Sequence, residues 1–595
     1  SDPIWNEDGT WNRALIKLDD RNPMLSNSYN FKREYATRSF NTVYASFDIW
    51  KGIKFASTFS YDFVMNKSRA WKDPRTSDGD DDNGRFSKDY NDITNMTWSN
   101  ILTYQTKIKK KHNLDLLAGY EINSKESDGL GTTISNFARW DKPEVNNGVV
   151  YQSMGGSNST TRIVSYITRA NYDYDNKYYL GASWRTDGSS RLARENRWGN
   201  FWSLSGAWRV SSESFMKPLQ NWLSDLKLRV SYGVNGTLPS SYYGYMGLSS
   251  LTSNYNDNPG IKQSQLENKE LTWETNYNFN SGIDLGFFDN RLNVTFEYYV
   301  RTTKNLLYSR PLSLATGFSS YLANIGKLQN KGYELEIRST NIETKDFRWS
   351  TSLNLGHNAN KILKLDGDLK QVTSGTSIHK VGLPYSTYYM IEFAGIDPVD
   401  GEPMFYKNTT DENGNLNKET TKDPRSAEKV ILQCADPTIT GGLGNSISYK
   451  WFDLNFNVNF SFGAWNYDGA AGKLEHGGDG TLNIPIYYRK RWQKEGDETS
   501  IERFVVGRSI SMTDYATTRR LYSGDYVRLK NLTFGFTLPK TWTRKVGIDN
   551  IRLYASGNNL LTWAAYDYID PESGSSPSWD TPPMRTYTFG LEVKF

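Results

Sequence analysis

Residues Asp453-Leu454-Asn455-Phe456-Asn457-Val458-Asn459-Phe460-Ser461-Phe462 alternate strictly between polar and apolar side chains. Successive side chains of a β-strand point to opposite faces, so this spacing predicts a strand with one polar and one apolar face. The same alternation recurs in the segments 54–63, 291–298 and 587–595. The chain is therefore predicted to be all-β, although a soluble antiparallel sheet with one wet face shows the same local pattern.

The lengths of the connections distinguish a soluble sheet from a membrane barrel. Short turns are predicted near residues 51–52, 109–112, 176–177, 287–290, 345–346 and 450–452. Between them lie long polar segments, at residues 66–93, 125–159, 235–270, 304–327, 359–436, 464–520 and 563–583. Short and long connections alternate, with two intermediate cases at residues 188–198 on the long side and 212–224 on the short side. Outer-membrane barrels likewise have short periplasmic turns and long extracellular loops. A soluble sandwich has no reason to place all its long loops at one end.

Composition supports a transmembrane barrel and argues against several other classes. Aromatic residues make up 14% of the chain, whereas only 37% of it is hydrophobic, which fits aromatic girdles around a polar lumen. No segment approaches the length of a helical membrane span, and the mean hydropathy is -0.67. A net charge of +4 provides no field for nucleic acid, so no nucleic-acid partner is expected. One cysteine and four scattered histidines favour neither a disulfide nor a zinc site.

The strand count predicts an incomplete wall. About 17 strands fit the pattern of residues 39–595, with the first starting near Ser39. The last strand must end at the periplasm, so an odd number places residues 1–38 in an extracellular loop. An open wall would leave edge backbone groups unpaired in hydrocarbon, so further strands must close it. The sequence, which begins at Ser1 without a signal peptide, is therefore expected to be a fragment.

Several motifs resemble those of the SusC-like (SusC/RagA) branch of the TonB-dependent transporters of Bacteroidota. They span most of residues 180–595 in the family's order, and each is architectural in character. The motifs are Arg185-Thr186-Asp187-Gly188-Ser189-Ser190-Arg191, Asn196-Arg197-Trp198-Gly199, Arg229-Val230-Ser231-Tyr232-Gly233, Asn330-Lys331-Gly332-Tyr333-Glu334, Asp525-Tyr526-Val527-Arg528-Leu529-Lys530-Asn531 and Gly557-Asn558-Asn559-Leu560 with Asp570-Pro571-Glu572. Leu192 stands where the family usually has Phe.

The resemblance implies a barrel of about 22 strands, of which this chain would supply the C-terminal 17 or so. The N-terminal plug, the TonB-contacting segment and the first strands would then lie outside the chain. It also implies TonB-dependent uptake of oligosaccharides or oligopeptides across the outer membrane. A SusD-like surface lipoprotein would be the partner, and a dimer of transporter–lipoprotein pairs is plausible. Neither an enzymatic activity nor a cofactor is implied.

Candidate ligand-contacting residues come from the long loops. Their aromatic rings could stack on sugar rings or pack against the lipoprotein, although loop anchoring and girdle formation explain such residues equally well. The candidates are Tyr385, Tyr388, Tyr389, Trp465, Tyr467, Tyr487, Tyr488 and Trp492. A second candidate is a calcium loop formed by Asp78, Asp80, Asp82 and Asp89. Asn83 stands where such a loop needs Gly, which favours a solvated acidic loop.

Two alternatives belong to other functional classes. A soluble or surface β-rich adhesin or glycan-binding protein would leave the terminal Phe595 strand and the one-sided long loops unexplained. An outer-membrane enzyme would need paired carboxylates at one rim, and Asp397, Asp400 and Glu402 lie close together in the chain. The sequence therefore favours the importer and predicts that these carboxylates are not catalytic.

Overall fold

Seventeen antiparallel strands form one continuous sheet in the computed structural model. It describes residues 4–12, 22–251, 254–255, 258–365, 367, 369–412, 414–478, 484–507, 515–566, 568–573 and 582–595. The strands are β1 (Phe31–Trp50), β2 (Ile53–Lys72), β3 (Arg85–Ile108), β4 (His112–Phe137), β5 (Gly148–Tyr174), β6 (Tyr178–Ser189), β7 (Trp198–Arg209), β8 (Leu223–Thr237), β9 (Glu274–Phe287), β10 (Leu292–Lys304), β11 (Lys327–Glu343), β12 (Phe347–Lys364), β13 (Ile439–Tyr449), β14 (Phe452–Phe462), β15 (Tyr526–Thr537), β16 (Asn550–Ala564) and β17 (Thr586–Lys594).

Each of these strands pairs with its neighbours in chain order, from β1–β2 to β16–β17. Within the described residues, β1 and β17 have one partner each, and no pairing joins them. The wall is thus an open meander whose two edges are the first and last strands.

The longest connections all leave one end of the sheet. The other end carries tight turns, where Gly52, Asn176 and Lys450 adopt the left-handed conformation, and two longer connections at residues 210–222 and 538–549. The long-loop end carries residues 73–84, 138–147, 190–197, 238–273, 305–326, 365–438, 463–525 and 565–585. β1 runs away from this end, as the predicted parity requires.

Short elements fill the loops. The additional strands are Leu248–Ser250, Lys262–Gln265, Leu307–Pro311, Ser320–Asn324, Gln371–Ser374, Ser377–Lys380, Thr387–Ile391, Phe393–Ile396, Pro403–Tyr406, Thr420–Thr421, Lys429–Cys434, Trp465–Tyr467 and Leu521–Ser523. The α-helices are Pro23–Tyr29, Gly469–Leu474 and Lys540–Thr543, and 3-10 turns lie at Val145–Asn147, Val210–Ser212, Ser214–Leu219, Leu314–Thr316, Pro424–Ser426, Ile486–Lys490, Thr518–Arg520, Arg544–Val546 and Pro571–Ser573. In the described part of the chain, no helix has both the length and the apolarity to cross a membrane.

The register separates an apolar face from a polar face through most of the sheet. Directly paired residues of antiparallel strands share a face. Trp184 of β6 pairs with Trp202 of β7, and Phe296 of β10 pairs with Leu335 of β11. The residues that alternate with such apolar pairs lie on the other face and pair polar with polar. In β14 and β15, for example, Asn457 pairs with Asn531. Many apolar-face side chains are exposed, including Leu204, Tyr232, Phe534 and Leu591, as lipid-facing residues should be.

Buried residues form small clusters at both ends of the sheet. Trp71, Phe86, Ile134 and Phe137 pack together at the long-loop end. A second cluster there contains Leu192, Phe201, Leu271 and Trp273, and a third lies at the opposite end around Val210, Met216 and Leu223. The wall between them is held by backbone ladders and has no central apolar core.

The structure corrects the bounds of two predicted loops and of the first strand. Residues 66–72 and 85–93 belong to β2 and β3, and most of residues 125–159 belong to β4 and β5. β1 begins at Phe31, whereas the prediction placed its start near Ser39. In these segments polar residues or glycines occupy both faces, so the alternation that identifies a half-buried strand is missing. Parts of the predicted segments 1–38, 235–270, 359–436, 464–520 and 563–583 lie outside the described residues.

Candidate functional site

Two long loops are joined at the long-loop end of the sheet. Trp492 of the loop 463–525 donates its indole N–H to the Pro398 carbonyl, at 3.0 Å, in the loop 365–438. Its ring lies directly on Gly401, where a Cβ atom would be 2.5 Å from the indole. Arg503 donates to Glu402 at 2.6 Å. Trp492, a candidate ligand contact, therefore also fixes one loop to the other.

The carboxylates considered for an enzymatic role are neutralised by cations. Lys422 Nζ lies 2.6 Å from Asp397 and 2.7 Å from Asp400, and Glu402 is bound by Arg503. Hydrogen bonds from Lys422 lower the pKa of both aspartates below its ordinary value. A general acid needs the opposite shift, so this cluster serves to hold the loop rather than to transfer protons.

A buried polar network organises the interior of the loop 463–525. Tyr488 donates its hydroxyl to Glu502 at 2.9 Å, and both residues are almost fully buried. Glu502 also binds Arg519, and Glu475 binds Arg520 at 3.2 Å. Burial raises the pKa of Tyr488 and of Tyr487 well above its ordinary value, so both phenols stay protonated. The ion pairs Glu502–Arg519 and Glu475–Arg520 thus stabilise the fold of this loop, which has little regular structure.

A cluster of tyrosines lies against this network. Tyr522 and Tyr566 stack with ring centroids 3.7 Å apart, and Tyr568 packs against Tyr566 at 5.3 Å and against Tyr487 at 5.5 Å. Tyr566 donates to Asp468 at 3.0 Å. Tyr568 is 68% exposed, so its ring is available for stacking. We call Tyr487, Tyr522, Tyr566 and Tyr568 the tyrosine platform.

Sequence reasoning identified only part of this platform. Tyr487 was a candidate, whereas Tyr522, Tyr566 and Tyr568 were not. Tyr566 and Tyr568 contact residues of the loop 463–525 from the last loop, 565–585. The pattern Tyr566-Asp567-Tyr568, with alternate tyrosines in a long loop, is the one signal that could have suggested them.

The remaining aromatic candidates are distributed over several small elements. Tyr385 stacks on His379 at 4.2 Å and is partly exposed. Tyr388 is buried in the strand Thr387–Ile391, in which Tyr389 pairs with Ile431. Trp465 and Tyr467 pair with Ser523 and Leu521 in a two-stranded ladder. The structure therefore does not gather the eight candidates into one pocket.

The four aspartates of the predicted calcium loop do not converge. Asp78 accepts hydrogen bonds from Ser26, at 3.1 Å, and Asn30, at 3.0 Å, while Asp82 pairs with Arg85. Asp89 belongs to β3, beside Gly131 of β4. Across the described ranges, no group of three or more His, Cys, Asp or Glu side chains is placed to hold a metal ion.

The polar face of the wall carries two kinds of surface. On β4 to β10, arginines pair with carboxylates, as Arg185 does with Asp187 at 2.7 Å and Arg229 with Asp284 at 2.8 Å. On β12 to β16, amides, hydroxyls and glycines dominate, and Asn531 donates to Asn558 at 3.0 Å. A hollow of about 790 Å³ lies where the two meet; it is lined in part by Glu297, Glu334, Glu336, Asn354, Asn459 and Tyr526. Such a face suits water and polar solutes.

Comparisons with known proteins agree with this geometry. The model of the family described as TonB dependent receptor-like, beta-barrel, matches residues 2–560. TonB-dependent receptor P3 of Formosa agariphila is 32% identical over 100% of this chain and 61% of its own length. TonB-dependent receptor SusC of Bacteroides thetaiotaomicron is 30% identical over 73% of this chain and 44% of its own.

Solved structures extend the likeness to the fold. The RagAB peptide transporter matches 99% of this chain and 66% of its own chain, with a TM-score of 0.89 and 26% identity. The RagAB peptide importer in the 'open-open' state matches with a TM-score of 0.87 and 25% identity. The chain spans about 61% of the length of the first curated relative.

Proposed function

Since this chain belongs to the TonB-dependent receptor family of β-barrel proteins, in its SusC-like branch, we propose that it forms most of the wall of an outer-membrane nutrient importer. The observation that carries the proposal is the two-faced sheet of seventeen strands with its longest loops at one end. An exposed apolar face suits lipid, and a polar face suits a lumen through which hydrophilic solutes pass.

The proposal includes a complete barrel. β1 and β17 each leave one edge unpaired, and each unpaired backbone group in hydrocarbon costs roughly several kcal/mol. We therefore propose that further strands, outside this chain, close the wall to about 22 strands and that a plug domain fills the lumen. TonB would act through that plug, which makes energy coupling a property of the whole protein.

A surface lipoprotein of the SusD type is the proposed partner on the extracellular side. Similarity to SusC and to the RagAB structures supports it. A dimer of transporter–lipoprotein pairs remains a prediction from the family resemblance. Transport requires no covalent step, so no enzymatic activity or cofactor is part of the proposal.

The proposed substrates are oligosaccharides or oligopeptides. Both have groups that stack on tyrosine and groups that hydrogen-bond to amides, so the tyrosine platform and the amide-rich wall suit either class. The RagAB structures, to which this chain is similar, are of a peptide transporter. The chain is also similar in sequence to SusC, so both substrate classes stay in the proposal. The eight aromatic candidates remain predictions; Tyr388 and Tyr488 are buried, whereas the other six are at least partly exposed.

An uptake experiment tests the proposal. The gene for the full transporter is deleted, and growth is compared on mixed oligosaccharides and on mixed oligopeptides as limiting nutrient. Loss of growth on one mixture, restored by the full gene and not by a gene lacking the TonB-contacting segment, supports import and identifies the substrate class. Unchanged growth on both mixtures, together with unchanged binding of both to cells, contradicts the importer.

A further inference from the structure

Half of strand β5 has a partner on only one side. β5 pairs with β4 along its whole length, from Gly148 to Tyr174. β6 pairs only with residues 163–174, because it ends at Ser189. The segment 148–162 therefore projects above β6 with one edge unpaired by any strand of the described chain, over a length of roughly 50 Å.

Hydrogen bonds at the lower end show which backbone groups point outward. Arg162 accepts from the Ser190 N–H at 2.9 Å and donates its own N–H to the Ser190 hydroxyl, and Thr160 donates to the Tyr243 hydroxyl at 2.9 Å. Alternate residues of a strand direct their backbone groups to the same side. The register with β4 is unbroken from Arg162 to Ser153, so Asn158, Gly156 and Met154 also point outward. Within the described residues, the outward N–H groups of these three form no hydrogen bond.

The edge lacks the usual protection against pairing. Natural edge strands carry charges, prolines or short lengths that prevent a further strand from adding. Residues 148–161 contain no charged residue and no proline, in a chain that is 23% charged. Met154, Tyr151 and Val149 are 73%, 74% and 70% exposed. The single irregularity, a register shift near Gln152, lies above the three outward-pointing residues.

We propose that this edge, with Met154, Gly156 and Asn158 as its backbone contacts, binds an extended segment of the extracellular lipoprotein by β-strand addition. The inference rests on the proposed function, because it assigns a docking surface to the partner named there. Main-chain hydrogen bonds give affinity in this mode of recognition, and the exposed apolar side chains give specificity.

A second copy of this chain does not fit the same edge. Two copies in one membrane are related by an axis along the membrane normal. That axis would bring two β5 edges together in parallel, with donors facing donors at the same height. With a second copy excluded, the occupant that we propose is a different polypeptide on the extracellular side. Strand addition at this edge would use backbone groups in the plane of the sheet, so the lumen-facing side of β5 would stay free. The proposed docking surface is therefore distinct from a substrate site in the lumen.

Hydrogen–deuterium exchange on the native complex tests the inference. The full transporter is purified in detergent from wild-type cells and from cells lacking the lipoprotein gene. Within residues 153–159, we expect the outward amides of Met154, Gly156 and Asn158 to exchange roughly tenfold or more slowly when the lipoprotein is present. Fast exchange in both preparations overturns the proposal. Slow exchange in both also overturns it, because the edge would then be covered by another segment, a second copy or a ligand.

A matched pair of variants isolates the backbone contact. Gly156→Pro removes the outward N–H and leaves the β4 ladder intact, because a proline is tolerated where the N–H faces away from the ladder. Gly156→Ala keeps that N–H, and its Cβ would meet only ordinary contact, with the Gly129 carbonyl at 3.5 Å. We expect Gly156→Pro, and not Gly156→Ala, to weaken lipoprotein binding by roughly two- to tenfold at equal transporter levels. Equal binding by the two variants overturns the inference.

These experiments distinguish a wrong docking surface from a wrong partner. A complex that contains the lipoprotein but leaves residues 153–159 exposed overturns only the docking surface. A transporter that is isolated from wild-type cells without any lipoprotein overturns the proposed partner, and the docking surface with it.

Discussion

Arg528 lies between Asp570 and Glu572, with its two terminal nitrogens 2.6 Å from the first carboxylate and 2.7 Å from the second. The guanidinium is almost fully buried, and its Nε donates to Thr562. Arg528 belongs to β15, whereas both carboxylates belong to the loop 565–585. Two separate family motifs are therefore halves of one clamp that fixes the last loop to the wall.

Removing the arginine should release that loop. Arg528→Gln leaves the poorly solvated Asp570 without a cation and Glu572 with only Lys530, and loss of one partner from a buried pair costs about 3–5 kcal/mol. We expect faster proteolysis of residues 565–585 in detergent and a lower unfolding temperature. Lys530→Gln, which removes a half-exposed contact with the same Glu572, should cost about 1 kcal/mol or less. Equal proteolysis of the two variants would contradict the clamp.

A lysine should destabilise the protein much more on the apolar face of β14 than on its polar face. Val458 pairs with Leu443 and Leu529 on the apolar face, whereas Asn457 pairs with Gly444 and Asn531 on the polar face. Val458→Lys places an ammonium group in hydrocarbon and should cost about 2–4 kcal/mol near the membrane midplane. Asn457→Lys faces water and should cost little. Refolding into lipid vesicles at increasing urea concentration measures both, and similar losses would show that the register is wrong. Phe456→Lys should behave like Val458→Lys.

The sequence predicted the strands best where lipid and lumen impose different demands on the two faces. In β14 the alternation from Asp453 to Phe462 predicts which side chains share a face, and the ladder with β13 keeps that division. In the upper part of β5, Ser153, Gly155 and Ser157 alternate with Met154, Gly156 and Asn158, and apart from Met154 both sides are polar or small. Both faces meet water there, so no selection for apolar side chains marks the strand. That is why the segment 125–159 reads as a loop and folds as a hairpin.

His379 should make one loop contact depend on pH. Its ring stacks on Tyr385 at 4.2 Å and lies 6.0 Å from the Tyr308 ring, and its Nδ1 is buried without a partner. Burial lowers the pKa of His379 below its ordinary value. A base whose folded pKa lies below its unfolded one binds fewer protons when folded. Its stabilisation is therefore present above the unfolded pKa, about 6.5, and is lost as the pH falls through the lower folded pKa.

The measurement compares amide exchange of residues 371–385 at pH 7.5 and at pH 5.0, corrected for intrinsic rates. We expect the wild type to lose protection at the lower pH. His379→Phe keeps a ring against Tyr385 and cannot titrate, so its protection should stay constant. If His379→Phe lost amide protection at pH 5.0 as the wild type does, the pH dependence would arise from other groups.

For the binding site, the sequence predicted the type of residue but not which residues are accessible. Sequence position identifies an aromatic residue in a long loop, but burial separates Tyr488, which is 1% exposed, from Tyr568, which is 68% exposed. That difference depends on contacts between loops that are far apart in the chain, such as Tyr487 with Tyr568. Local patterns carry no information on such contacts, so the sequence could name Tyr487 without its neighbours.

The difference in burial between Tyr488 and Tyr568 predicts different effects of their substitution. Tyr568→Ala removes an exposed ring and should weaken ligand binding by about 0.5–1.5 kcal/mol, roughly two- to twelvefold, without changing the unfolding temperature. Tyr488→Phe removes a hydrogen bond to the buried Glu502 and should cost about 1.5–3 kcal/mol of stability. Calorimetry with the imported oligomer and thermal unfolding in detergent measure the two effects. A loss of stability in Tyr568→Ala would make that tyrosine structural.

Gly332 occupies a position in β11 that no larger residue fits. A Cβ atom there would lie 2.0 Å from the His357 carbonyl oxygen of β12 and 2.7 Å from the Tyr299 hydroxyl of β10. The carbonyl belongs to the backbone ladder and cannot move without separating the strands. Gly332→Ala should therefore cost about 1–3 kcal/mol, as overpacking does in tightly packed sites. Gly155→Ala in β5, where a Cβ would meet nothing within 4 Å, is the matched control and should leave stability unchanged or slightly raised. Urea-dependent unfolding of the full transporter distinguishes the two, and equal midpoints would mean that β11 and β12 separate enough to admit a methyl group.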